Sequence, residues 1–138
     1  MRNKITSGVL LIVCALALPF FSGCSLGVDV NKELQNASET INATCPMMVD
    51  AETQLDNTEV ADKMLIYNYT MINFAKADLT DEQLTQVKAT MQRDLLNLIK
   101  SSPEMKVFRD FGVSLKYVYR SSDALELFSL TFTPEDYA

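Results

Sequence analysis

Enzymes that move protons or hold metals lean first on histidine, and this chain contains none. Its absence removes the usual general base, the usual zinc ligand and the Ser–His and Cys–His nucleophile pairs. The cysteines are Cys14, Cys24 and Cys45, none with an imidazole to draw off its proton. A phosphate-cradling loop is missing too, since the chain has four glycines and two of them are Gly23 and Gly27. The densest run of carboxylates is Asp50, Glu52, Asp56, Glu59 and Asp62. Calcium wants several such oxygens, but this spacing is not an EF-hand loop and lacks its turn glycine. A strand would also send alternate acids to opposite faces, so a solvated hairpin is the preferred reading. These residues imply no cofactor, no metal and no enzyme.

Tyrosines supply the other recurring pattern. Tyr67/Tyr69 and Tyr117/Tyr119 are two Tyr-x-Tyr units. Each pair points to one face if its segment is a strand, because strand side chains alternate. On neighbouring strands the four rings would form one aromatic patch. Such a patch is either core, with hydroxyls at its rim, or a surface for a protein partner, where tyrosine is enriched. Tyr67, Tyr69, Tyr117 and Tyr119 are therefore the candidate partner-binding residues.

The N-terminus has a different character. Arg2 and Lys4 precede an uncharged run from Val9 to Leu18, then Pro19 and Phe21-Ser22-Gly23-Cys24. Ten apolar residues make ~15 Å of helix, half of a bilayer's hydrocarbon core. A positive start, a short apolar middle and small residues before a cut are the layout of a secretory signal. Phe21 to Cys24 also resembles the lipobox of bacterial lipoproteins, with Phe21 in place of the usual Leu. That resemblance implies cleavage before Cys24 and a thioether-linked diacylglycerol on its sulfur, and two or three acyl chains anchor firmly where one does not. Position 25 is Ser rather than Asp, which by the same resemblance implies the outer membrane, facing the periplasm, in a Gram-negative host. Only Cys45 then remains in the mature domain, so no intrachain disulfide is available. It is either a small buried side chain or free to pair with another molecule.

Removal of residues 1–23 takes Arg2 and Lys4 with it, moving the net charge from −6 to −8. An acidic domain has no footprint for phosphate backbones, so nucleic acid is not an expected partner. A tether at 24–30 leads into one domain at 31–138. Asn31 is the expected cap of a helix over 32–43, with Leu34, Ala37 and Ile41 in phase. Strands are expected at 47–55 and 64–74, with Asp56 to Asp62 as a polar turn. Thr80-Asp81-Glu82-Gln83 is a capping box opening a helix to about Lys100. Ser102-Pro103-Glu104 starts a short helix that Gly112 ends. Strands follow at 113–120 and 126–133.

The sum is an α+β two-layer domain: an antiparallel four-stranded sheet in two hairpins (ββαββ), helices on one face, one short helix before it. The mature part resembles small exported bacterial proteins of unknown function, through Cys45-Pro46-Met47-Met48-Val49-Asp50, Leu55-Asp56-Asn57, Tyr67-Asn68-Tyr69-Thr70 and Thr133-Pro134-Glu135-Asp136-Tyr137. The expected function is a membrane-anchored, non-catalytic module that docks another cell-envelope protein. An inhibitor or immunity lipoprotein against a cationic cell-wall enzyme is the alternative. Bacterial expression with labelled palmitate tests the anchor. Label should enter the wild-type protein and be lost in Cys24→Ala; equal labelling of both would refute lipidation at Cys24.

Overall fold

A computed structural model describes residues 27–138; the signal segment and Cys24 lie outside the described residues. The first helix, α1, is Val30–Asn42. Its cap is Asp29, which accepts from the Lys32 amide, rather than Asn31. Asn31 instead reaches across to the first hairpin, where its side-chain oxygen accepts from the Lys63 amide at 2.7 Å and its nitrogen donates to Asp62 at 3.2 Å. Leu34, Ala37, Ser38 and Ile41 form the buried stripe.

The sheet has five strands in the order β1-β2-β3-β4-β5, being Met47–Met48, Thr53–Ala61, Met64–Met71, Ser114–Ser121 and Glu126–Phe132. The expected four strands are five, because the segment read as one strand, 47–55, divides into β1 and the start of β2. Two further expectations need correction. The residues read as a polar turn, Asp56 to Asp62, lie mostly in β2, and the real turn is Asp62-Lys63. The acids had marked a loop, yet Asp56 and Glu59 project from the solvent face of a strand whose other face carries Leu55, Thr58 and Val60 inward. A bulge between Leu55 and Asn57 resets that alternation.

The second correction concerns direction. The sheet is not wholly antiparallel, because β3 and β4 pair in parallel, with Tyr67 opposite Tyr117 and Tyr69 opposite Tyr119. A parallel pair needs a crossover, here built around α2, Asp81–Ser101. A helix of 21 residues spans ~31 Å, enough to carry the chain back to the end where β3 began. Ser114 accordingly donates its amide to the Lys63 carbonyl at 2.8 Å. The α2 start is the expected capping box, Thr80 accepting from Gln83 N and Gln83 accepting from Thr80 N.

After α2 come a single turn at Pro103–Met105 and α3, Lys106–Asp110, ended by Gly112 in the left-handed region at φ 63°. A last turn, α4, Pro134–Tyr137, was not foreseen in the sequence. Tyr137 anchors it, donating to the Val113 carbonyl at 2.7 Å. Side chains from α1, α2, α3 and α4 meet one sheet face in a single apolar cluster.

The short β1 covers only part of the β2 edge. Beyond the short β1, the Asn42 amide acts as a surrogate strand residue for β2. Its oxygen accepts from Thr58 N at 2.6 Å and its nitrogen donates to Thr58 O at 2.9 Å. That clip satisfies an edge that could otherwise pair with another chain. The core depends on α2: Leu95 is fully buried in the cluster. Leu95→Ala should cost roughly 2–5 kcal/mol in urea unfolding. An unchanged midpoint would mean that this stripe is not core.

Candidate functional site

The four tyrosines stand in a two-by-two array on the helix-covered face of β3 and β4. Because the strands are parallel and in register, equivalent rings stack across them. Tyr67 and Tyr117 have centroids 5.2 Å apart at 5°, and Tyr69 and Tyr119 have 5.0 Å at 12°. Phe132 meets Tyr117 edge-on at 6.0 Å, and Phe128 flanks Tyr119 at 5.1 Å. All four tyrosines are buried at 1% exposure or less, so the array is part of the core and its hydroxyls are not at a solvent rim.

The hydroxyls of Tyr69 and Tyr119 have no hydrogen-bond partner among the described residues. Burial pushes both well above the ordinary tyrosine range. Neighbouring tyrosines, then Cys45, add to the effect at Tyr69, and the Asp50 carboxylate adds to it at Tyr119. Cys45 is half-buried against the core and free of any disulfide. Its thiol is pushed up by burial and then by the charge of Asp56. A thiol held protonated is a poor nucleophile.

The acidic run is dispersed. Asp56 accepts from Gln54 at 2.7 Å and Thr70 at 2.6 Å, while Glu59 accepts from Asn68 at 2.7 Å, all on the outer face. Asn68 also donates to Asn57 and accepts from Arg120. Asp62 is held by Asn31. Among the described residues no three of His, Cys, Asp or Glu converge in metal-holding geometry.

Asp50 and Glu52 differ from the others. They lie in the turn between β1 and β2, where Asp50 Oδ1 accepts from the Glu52 and Thr53 amides, each at 2.8 Å. Asp50 Oδ2, Glu52 Oε1 and the fully buried Thr53 Oγ1 are enclosed without a partner among the described residues. Sequence reasoning missed this cluster. The acids were visible, but their enclosure arises where the β1–β2 turn meets the segment after β3, a contact between residues distant in sequence.

Residues 30–128 match a family described as Domain of unknown function (DUF8479), from the start of α1 into β5. The chain belongs to that family. No curated protein matches it by sequence. Three solved structures resemble this DUF8479 domain in fold. One, from Pseudomonas aeruginosa and described as a secreted protein, has a TM-score of 0.65 at 14% identity over 84% of this chain and 100% of its own. The type 2 secretion system pilotin EpsS of Vibrio vulnificus has a TM-score of 0.59 at 8% identity, covering 79% and 92%. The type II secretion system pilotin AspS of Vibrio cholerae has 0.54 at 11%, covering 78% and 91%. At such identities the likeness is one of fold. Among the described residues no helix is long and apolar enough to cross a membrane.

The buried hydroxyls set an alkaline limit on stability. Both pKa values are raised in the folded state, so their contribution is complete below the unfolded value of about 10 and is lost as pH rises above it. Urea midpoints should fall above pH ~10 in the wild type and fall less in Tyr69→Phe/Tyr119→Phe. At neutral pH that double variant should match or exceed the wild type, since it removes buried hydroxyls that lack partners. A large neutral-pH loss would show that the hydroxyls are bonded.

Proposed function

We propose that the mature chain is a non-catalytic lipoprotein of the cell envelope, anchored through Cys24, that docks a neighbouring envelope protein as an accessory subunit. In a Gram-negative host its place is the outer membrane, facing the periplasm. The supporting observation is the fold shared with two secretion-system pilotins over nine-tenths of their length. The lipobox resemblance at Phe21 to Cys24 accords with it. So does the site chemistry, in which the thiol of Cys45 is held protonated and Asp56, Glu59 and Asp62 are each engaged by donors.

The mature charge of −8 favours a second reading, an inhibitor or immunity lipoprotein against a cationic cell-wall enzyme. Salt separates the two, because electrostatically steered association slows steeply as ionic strength rises. Detergent-solubilised envelopes of the native host, passed over the full lipoprotein, should yield one endogenous envelope protein that survives ~0.5 M salt. Recovery of nothing endogenous, with tight but salt-sensitive binding to lysozyme, would replace docking by inhibition.

A further inference from the structure

Parallel pairing sends the C-terminal ends of β3 and β4 to the same end of the sheet, and three loops meet there. Ile72 N donates to Glu52 O at 2.9 Å, joining the segment after β3 to the β1–β2 turn. Ser122 N donates to Phe74 O at 2.7 Å, and Lys76 N to Asp123 at 3.1 Å, joining that segment to the β4–β5 turn. This end presents three large apolar side chains to solvent, one from β1 and two from the loops: Met48 at 47%, Ile72 at 39% and Leu125 at 51%. Among the described residues these are the exposed large hydrophobics, and all three fall at this end.

Asp50 and Glu52 sit beside them, with the enclosed carboxylate oxygens already described. The Tyr119 hydroxyl, 1% exposed and without a partner among the described residues, feels the Asp50 charge from below. Exposed Asp78, Asp123 and Glu126 extend the acidic rim. The cations nearby are Lys76, whose ammonium group donates to the Glu126 carbonyl, and Arg120, which turns onto the outer face to Asn68.

The chain enters at the opposite end. Gly27 leads into the first turn of α1, which Asn31 fastens to the Asp62-Lys63 turn. The eight residues of β3 separate the two ends by ~26 Å. A tether at one end turns the other away from the bilayer.

We propose that this tether-distal end is the docking surface, and that its occupant is a protein segment carrying an arginine or lysine beside apolar side chains. The apolar groups cover Met48, Ile72 and Leu125, and the cation supplies a donor to Asp50 Oδ2 and Glu52 Oε1, the oxygens without one. An enclosed carboxylate oxygen gains a strong, orienting contact once a guanidinium reaches it. This inference rests on the docking function proposed above and assigns it a place and a chemistry.

Photocrosslinking in the native host, with the full lipoprotein carrying p-benzoylphenylalanine, tests it. Positions 72 and 125 probe the patch, and exposed Gln92 on α2 and Thr131 on β5 serve as controls. Adducts at 72 and 125 and not at the controls should map to a partner peptide with a basic residue next to apolar ones. Glu52→Gln, which keeps the shape and removes the charge, should cut their yield by about tenfold or more. Exchanging charges, Glu52→Arg with the mapped basic residue changed to Glu, should restore it. Adducts at the controls alone would overturn the surface and leave docking standing. Adducts to phospholipid or to a second copy of this chain would overturn the occupant, as would a yield indifferent to Glu52→Gln. Adducts nowhere would overturn the docking function itself.

Discussion

Tyr67 over Tyr117 and Tyr69 over Tyr119 fix β3 against β4 in parallel register, and the placing of every other element follows from that pairing. A slip of β4 by one residue would bring Val118 to the helix side and turn Tyr117 and Tyr119 to the other face. Stacked pairs of this kind contribute about 0.5–1.5 kcal/mol each beyond the area they bury. Phenylalanine would stack as well. Enclosing an unpartnered hydroxyl costs about 1–3 kcal/mol, so the oxygens of Tyr69 and Tyr119 do not improve the stability of the free domain.

Parallel pairing also makes the two ends of the sheet unlike. At one end Asn31, Lys63 and Ser114 join α1, the first hairpin and the start of β4 through short hydrogen bonds. At the other, three loops are joined mainly through backbone groups, and Met48, Ile72 and Leu125 stay exposed there. An all-antiparallel sheet in two hairpins would have placed the β4–β5 turn elsewhere and separated Leu125 from Ile72. The polarity of the domain is thus a consequence of one crossover helix.

Much of this was legible locally. The capping box at Thr80, Gly112 as terminator and the alternation in 64–71, 114–121 and 126–132 depend on neighbours within a few residues, and each marks its element. That the Tyr-x-Tyr units sit side by side was also an expectation the register meets. Strand β2 was not legible, because Asp56, Asn57 and Glu59 are turn residues by type and a bulge breaks their alternation. The direction of β4 was hidden as well, since a helix between two strands fits either sense until its length is set against the sheet. Met48, Ile72 and Leu125 have no periodicity in the sequence, being loop or edge residues that only the topology brings together.

The carboxylates show how a shared residue type separates by environment. Asp56, Glu59 and Asp62 each accept from a side chain of their own domain, and that satisfaction makes them part of the architecture. Asp50 is satisfied on one oxygen only, by the turn it closes, and its other oxygen faces inward beside the enclosed Glu52 Oε1. A structural acid at that turn needs only the first oxygen, and alanine or glutamine at 52 would avoid the enclosed charge altogether. Two enclosed oxygens, without a partner among the described residues, thus lie beside exposed apolar side chains. The contact proposed at the tether-distal end would give both oxygens a donor.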